Sequence, residues 1–162
     1  MLDILTHVFK FMDCDKNKCL LAMTCSRLMK SDFYFDNLID IEKITHSQRF
    51  DKFTNIHLET NIQKLPLSVT RINLGEHFEF NKYYIPPTVK IITIYWNGFV
   101  FSNLLFNFYF RIQNFGESIA DYFPISVTEI CFVGPFDAIQ QQNIENVLKR
   151  NDLMITFMNP KN

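Results

Sequence analysis

The sequence predicts an α+β fold in which a short N-terminal helical segment precedes a parallel β-solenoid. Two observations lead to this prediction. A phrase made of an apolar residue, proline, any residue, serine or threonine, and valine recurs along the chain, and the same spacing of apolar residues follows every copy. The first thirty residues lack that phrase and instead repeat apolar side chains at helical spacing.

The repeated phrase predicts a series of short, equivalent strands. Its three clearest copies occupy 65–74, 85–94 and 123–132, and each ends in the pattern Val-x-x-Ile-x-apolar. The last two apolar positions alternate, as in a strand with one buried face, whereas the valine turns inward just before the strand. The proline lies outside the strand, where its missing N–H removes no ladder hydrogen bond. Gly75 and Gly134 follow two of the strands and permit a tight turn there. The spacing is that of leucine-rich repeats, L-x-x-L-x-L, whose units stack to bury a common core.

Weaker copies extend the predicted series. Residues 53–58 and 152–157 carry the apolar spacing without the proline. Pro86 and Pro124 are separated by nearly two periods, which predicts a degenerate copy over 109–116, halfway between them. A helix is expected over 137–150, where Asp137 and Gln140 have capping-box spacing, and it would close the open end of the solenoid before the last strand.

The N-terminal residues predict two short helices. Leu21, Thr24, Cys25 and Leu28 have the spacing of one helix face, which favours a helix over 16–30 with Asp15 as its N-cap. A shorter apolar cluster predicts a helix over 4–12. Such a pair is too small to bury its own apolar residues, so it must pack on the repeats, on a partner, or on both.

Composition and motifs exclude several function classes. With 48% hydrophobic and 20% charged residues and a net charge of −1, neither disorder nor nucleic-acid binding is indicated. No secretion signal or membrane span is apparent, and we expect a cytoplasmic protein. The four cysteines form no C-x-x-C pair and the four histidines are scattered, so we expect no disulfide framework, metal or cofactor. No nucleophile or phosphate-binding motif is present, which argues against an enzyme.

Several segments resemble the F-box and FNIP-repeat proteins of amoebae and of the large DNA viruses that infect them. Residues 4–13, ILTHVFKFMD, and 20–28, LLAMTCSRL, are similar to the F-box pattern. Residues 39–56 and the repeats, including Phe80-Asn81 before Ile85-Pro86, resemble the FNIP part. The resemblance implies an F-box-like helical segment over 1–35. It also implies a leucine-rich-repeat-like solenoid of FNIP repeats over 36–162, with a C-terminal capping helix and strand.

The resemblance also implies a function. Such a protein is the non-enzymatic substrate-recognition adaptor of a cullin-based ubiquitin ligase: its F-box helices dock on a Skp-type adaptor and its repeats hold a target protein. The residues implied for the adaptor contact are Leu2, Ile4, Leu5, Phe9, Leu20, Leu21 and Cys25. For each of them, internal packing between the helices and the first repeat is an equally good interpretation.

The strand pattern predicts one outward-facing surface. Residues that alternate with the buried ones should stack about 4.8 Å apart from strand to strand. These pairs are Asn55 and His57, Arg71 and Asn73, Ile91 and Thr93, Arg111 and Gln113, and Glu129 and Cys131. The candidate target-binding residues on this surface are His57, Arg71, Asn73, Thr93, Tyr95, Trp96, Arg111 and Gln113. A solvated face that binds nothing is the competing interpretation.

Two function classes therefore stay open at the level of sequence. One is the ligase adaptor. The other is a repeat-based interaction scaffold that recruits no ligase, because the Leu-Pro that usually opens an F-box does not precede Ile4.

Overall fold

The fold is built around one parallel β-sheet whose six strands lie side by side in chain order. The computed structural model describes residues 4, 7–8, 11–12, 14–24, 34–60, 64–75, 78, 85–95 and 123–159. The strands are β1 (Ile39–Asp40), β2 (Asn55–Leu58), β3 (Arg71–Leu74), β4 (Ile91–Tyr95), β5 (Glu129–Val133) and β6 (Met154–Met158). Two α-helices, α1 (Asp15–Met23) and α2 (Ala138–Val147), and two short 3₁₀ turns (Ile41–Lys43 and Phe50–Lys52) accompany them.

The sheet register places equivalent residues of the repeated phrase next to one another. Ile56, Ile72, Ile92, Ile130 and Ile155 are aligned across five strands. A second aligned row consists of Leu58, Leu74, Ile94, Phe132 and Phe157. The prediction that the segments around Ile72, Ile92 and Ile130 lie side by side is therefore confirmed. Both rows face one apolar core, in which Ile56, Ile92 and Ile130 are 0% exposed.

The turn before β3, β4 and β5 explains the proline and valine of the phrase. Val69, Val89 and Val127 each donate a backbone hydrogen bond to the carbonyl of the proline three residues earlier, at 3.3, 3.0 and 2.9 Å. This bond closes a β-turn that swings the valine into the core, where all three valines are 0% exposed. The turn uses the carbonyl of proline and needs no N–H from it, so proline is well suited to the position.

At the start of β3, β4 and β5, one carbonyl of the preceding coil accepts hydrogen bonds from two consecutive amides. The carbonyl of Thr54 accepts hydrogen bonds from the amides of Thr70 and Arg71, at 2.8 and 2.9 Å. The carbonyl of Thr70 does the same for residues 90–91, and that of Lys90 for residues 128–129. Each clear copy of the repeated phrase therefore forms the same turn and the same hydrogen-bonded junction.

The direct pairing of β4 with β5 overturns the predicted copy over 109–116. Ile92 lies beside Ile130 and Ile94 beside Phe132, so no strand is inserted between them. Residues 109–116 themselves lie outside the described residues. This segment has the apolar spacing but lacks the proline of the repeated phrase.

The helix and the strand predicted near the C-terminus are both found, but the helix does not lie at the end of the sheet, where it was expected. The strand expected near Ile155 is β6, and the helix expected over 137–150 is α2. Asp137 accepts a hydrogen bond from the amide of Gln140 while the Gln140 side chain accepts one from the amide of Asp137, which completes the capping box. Ile144 and Leu148 join the apolar core. The helix connects β5 to β6, and therefore covers the apolar face of the sheet beside its last strands instead of closing an end.

The predicted fold class, an α+β protein with an F-box-like helical segment before a leucine-rich-repeat-like solenoid of FNIP repeats, is wrong. The architecture observed is a six-stranded parallel sheet. Of the two helices predicted over 4–12 and 16–30, the second corresponds to the nine-residue α1, which ends at Met23, well short of the predicted end. The first is only partly described, and residues 25–30 lie outside the described residues. Short helices are marginal unless packing stabilises them. Ile4, Val8, Phe11 and Leu20 are exposed and supply no such packing. The division of the chain at residue 35 stays a prediction.

Arg150 anchors the chain just before β6. Its guanidinium donates to the carbonyls of Phe123 and Pro124 at 3.1 and 3.3 Å, and also to that of Val127. Its Nε atom lies 2.8 Å from a carboxylate oxygen of Asp152. One side chain thus satisfies the carbonyls of the turn that precedes β5 and fixes the approach to the neighbouring strand.

Replacing Ile92 with alanine tests the aligned core. Because Ile92 lies between Ile72 and Ile130 and is fully buried, Ile92→Ala should lower the free energy of unfolding by about 2–5 kcal/mol in a urea titration. The matched variant Ile125→Ala alters a side chain that is 80% exposed, and should change it by no more than about 0.5 kcal/mol. Equal effects of the two substitutions would contradict the register.

Candidate binding face of the sheet

The side of the sheet opposite the core is largely polar and partly exposed among the described residues. Along β2, β3 and β4, buried residues alternate with half-buried or exposed ones, so every second side chain points away from the core. We call this surface the ladder face. It consists of one row with Asn55, Arg71, Ile91, Glu129 and Met154, and a second row with His57, Asn73, Thr93, Cys131 and Thr156.

Most of the predicted outward-facing positions are found on the ladder face. His57, Arg71, Asn73, Thr93 and Tyr95 all have accessible side chains. Trp96, Arg111 and Gln113 lie outside the described residues. Cys131 was also expected to point outward, but it is only 4% exposed. A thiol behaves as a small hydrophobe, so it is stable under neighbouring side chains at a position where a larger polar residue would reach solvent.

Polar side chains on the ladder face hold one another in place. The amide of Asn73 donates to the side-chain oxygen of Asn55 at 3.0 Å, and Asn55 in turn donates to the carbonyl of Asp36 at 3.2 Å. His57 Nε2 lies 3.1 Å from Glu59 Oε2. The face therefore presents fixed donors and acceptors instead of freely rotating side chains, and such preorganisation favours binding.

Gly75 makes room for the His57–Glu59 pair. A Cβ atom built on Gly75 would lie 2.0 Å from Glu59 Oε2 and 3.1 Å from His57 Cε1. Because Gly75 has no side chain, the carboxylate of Glu59, which follows the neighbouring strand β2, can lie across the end of β3. From the sequence, Gly75 was predicted to permit a tight turn. The structure shows that it leaves room for the Glu59 carboxylate.

A buried lysine links helix α1 to the first strands. Lys18 is 5% exposed, and its ammonium donates to the carbonyl of Tyr34 at 3.2 Å and to a carboxylate oxygen of Asp36 at 3.1 Å. It also lies 3.2 Å from the carboxylate of Asp15. The predicted role of Asp15 as an N-cap is corrected, because Asp15 lies inside α1 and accepts from the amides of residues 36 and 37.

This cluster shifts two pKa values in opposite directions. Burial alone lowers the pKa of Lys18, but the hydrogen bonds to Asp36 and Asp15 and the attraction of their charges together outweigh it, so the pKa lies above its usual value. Desolvation alone raises the pKa of Asp36, but the hydrogen bonds from Thr54 and Lys18 and the attraction of nearby positive charges together outweigh it, so that pKa lies below its usual value. Arg71, at the edge of the ladder face, contributes to the same lowering. Helix α1 is thus held electrostatically beside the ladder face.

The residues implied for adaptor contact are only partly described. Ile4 and Leu20 are 67% and 54% exposed, and Leu21 is half-buried. Leu2, Leu5, Phe9 and Cys25 lie outside the described residues. Val8 and Phe11, which the sequence did not single out for this role, are also exposed.

Comparisons with protein-family models, curated proteins and solved structures found no match for this chain. No group of three or more metal-ligating side chains occurs among the described residues. Neither helix in the described part of the chain is long and apolar enough to cross a membrane.

The Asp36 cluster predicts a specific dependence of stability on pH. A carboxylate with a lowered folded pKa contributes stability above its unfolded pKa of about 4, and loses it as the pH falls through the folded value. The difference in unfolding free energy between the wild type and Asp36→Asn should therefore shrink as the pH is lowered from about 5 to about 2. Chemical denaturation across this range measures it.

The matched variant for this test is Thr54→Val, which removes one hydroxyl that donates to Asp36 at 2.7 Å. Because the pKa of Asp36 then moves back toward its usual value, the acid loss should occur at higher pH in Thr54→Val than in the wild type. Identical acid profiles of the wild type and Asp36→Asn would contradict the assigned cluster.

Gly75→Ala tests the arrangement of the ladder face. The added methyl group should expel the Glu59 carboxylate from His57, which NMR of the His57 ring nitrogens would detect. Since both side chains are partly solvated, the stability loss should be below about 1 kcal/mol. Glu59→Gln keeps an oxygen acceptor for His57 and should leave the contact in place; an unaltered His57 signal in Gly75→Ala would contradict the predicted displacement.

Proposed function

We propose that this protein is a non-catalytic substrate-recognition adaptor of a cullin-based ubiquitin ligase, located in the cytoplasm. In this proposal the ladder face binds a target protein, and apolar residues near the N-terminus dock on a Skp-type adaptor. The observation that carries it is the contrast between the two parts: an ordered polar face on a rigid sheet, and large apolar side chains left in solvent ahead of it.

The exposed apolar residues support the docking half. Ile4, Val8, Phe11 and Leu20 lie within the first twenty residues, and all are at least 41% exposed. Their burial against a partner would remove apolar surface from water, which is the main favourable contribution to association. These residues lie in the two segments that resemble the F-box pattern.

The ladder face supports the recognition half. Arg71 is exposed and suited to a carboxylate or phosphate, while Tyr95 is 40% exposed on the next strand and offers an aromatic anchor. The face carries both charge signs, with Arg71 and Glu129 in one row. Mixed charge favours a protein surface over a nucleic acid as its ligand.

The second candidate function is an interaction scaffold that recruits no ligase. The observation that favours it is the short α1, which is tied back onto residues 34–37 by Lys18 and Asp15. A helix anchored in this way can cap the sheet, and that role does not require a Skp-type adaptor. Both functions use the ladder face, and they differ only in what the first residues bind.

A pull-down with a purified Skp-type adaptor separates the two functions. The full-length wild type should be retained, and the double variant Ile4→Glu with Leu20→Glu should lose at least tenfold in retention, because charges would be placed in an apolar contact. The matched control Leu67→Glu alters an equally exposed apolar residue in the turn before β3 and should be retained like the wild type. Failure of the wild type to bind would leave the scaffold function.

A further inference from the structure

Strand β6 is the last strand of the described sheet, and its own sequence has none of the features that usually protect an edge. No described strand pairs with its outer side. Its sequence, Met154–Met158, contains no charge, proline or glycine. The opposite edge differs, because β1 is only two residues long and Asp40 immediately caps a 3₁₀ turn. Charges, prolines and short length are the devices by which edge strands avoid pairing with other chains, and β6 uses none of them.

The side chains of β6 are those of an incomplete core. Ile155 and Phe157 continue the rows of Ile130 and Phe132, which are buried at 0% and 2% exposure, but are themselves only half-buried. Phe157 stacks on Phe132 with a centroid separation of 5.5 Å, so one side of its ring is already packed. A further strand on the outer side would complete the burial of both residues.

The hydrogen bonds to β5 fix which backbone groups point outward. The amide of Met154 donates to Thr128, and the carbonyl of Met158 accepts from Gly134, each at 2.9 Å. Even-numbered residues of β6 therefore turn their backbone groups toward β5. In a parallel pair the alternate residues face the other way, so Ile155 and Phe157 present two N–H and two C=O groups to the outer edge.

We propose that this edge binds a second copy of the chain, with the two β6 strands antiparallel and Thr156 opposite the partner's Thr156. A two-fold axis through this point is the ordinary symmetry of a homodimer. It sets Ile155 opposite the partner's Phe157, and both of these residues direct their backbone groups outward. An opposed pair of this kind exchanges two hydrogen bonds, and the axis generates the pair twice.

The sequence of β6 is self-complementary in this register. Met154 faces the partner's Met158 on one side of the sheet, and Ile155 faces the partner's Phe157 on the core side. Because the strand is uncharged, no like charges are brought together, and the apolar row continues from one core into the other. A strand of another protein would need this same apolar alternation, which the second copy already supplies.

Two measurements on the full-length chain test this. Sedimentation equilibrium should show a concentration-dependent rise toward twice the 19.3 kDa of one chain. Hydrogen exchange at the Ile155 and Phe157 amides should slow at least tenfold at the higher concentration. A single-chain mass at every concentration would overturn the proposal. So would protection of these amides in the monomer, because the edge would then already be covered.

Charge variants at the two-fold axis test the register. Thr156→Lys and Thr156→Glu should each be monomeric, since like charges would meet, and an equimolar mixture of the two should regain the doubled mass. Leu67→Lys adds the same charge at an exposed site outside β6 and should dimerise like the wild type. Dimers of the single variants, or no recovery in the mixture of two folded variants, would exclude a contact centred on Thr156. The wild-type measurements decide the proposal if either variant fails to fold.

Discussion

The structure depends on one constraint, the parallel pairing of strands in chain order. A strand can lie parallel to its predecessor only if the chain returns to the same end of the sheet before each new strand begins. Every strand is therefore approached from the same side, and the approaches to β3, β4 and β5 use the same turn and the same junction. The proline carbonyl that accepts from a valine amide, at Val69, Val89 and Val127, is the local solution found at three strands. Repetition in the sequence follows from this geometry.

The same constraint divides the molecule into a core side and a binding side. Because paired residues occupy equivalent positions, apolar side chains form continuous rows on one face, and the residues between them form rows on the other. Helix α2 covers part of the apolar face, with Ile144 fully buried. The rows of the ladder face lie on the opposite side of the sheet from α2.

The core was predictable from sequence because its signals are local. The spacing of apolar residues located β2 to β6 but not the two-residue β1, proline and valine located the turns before β3, β4 and β5, and Asp137 with Gln140 located the start of α2. The copy over 109–116 failed because apolar spacing recurs easily in a chain that contains 18 phenylalanines, whereas the turn does not. The extent of the N-terminal helices was not predictable, since α1 ends at Met23, because helical periodicity shows only which residues share a face. It does not show whether a neighbour exists to bury that face.

The candidate site was predictable in position but not in its interactions. Period-two alternation placed His57, Arg71 and Asn73 on the ladder face, but it also placed the buried Cys131 there. The role of Lys18 left no trace in sequence, since a lysine in a short helix normally faces solvent. Its burial depends on two carboxylates and a carbonyl, supplied by Asp15, Asp36 and Tyr34, that only the folded chain brings together.

The two edge strands of the sheet, β1 and β6, differ in how they end it. In the described sheet β1 and β6 do not pair with each other, so a first and a last strand remain. At the first strand, the chain supplies Phe35, which pairs and stacks with Phe53, and a capped 3₁₀ turn that ends β1 after two residues. At the last strand, the same alternation that builds the interior continues unchanged through Met158, with half-buried isoleucine and phenylalanine where the interior has buried ones. Because β6 has the sequence of an interior strand, its outer backbone groups can pair with a further strand. The apolar alternation that aligns the strands within the sheet therefore also determines which strand can be added to it.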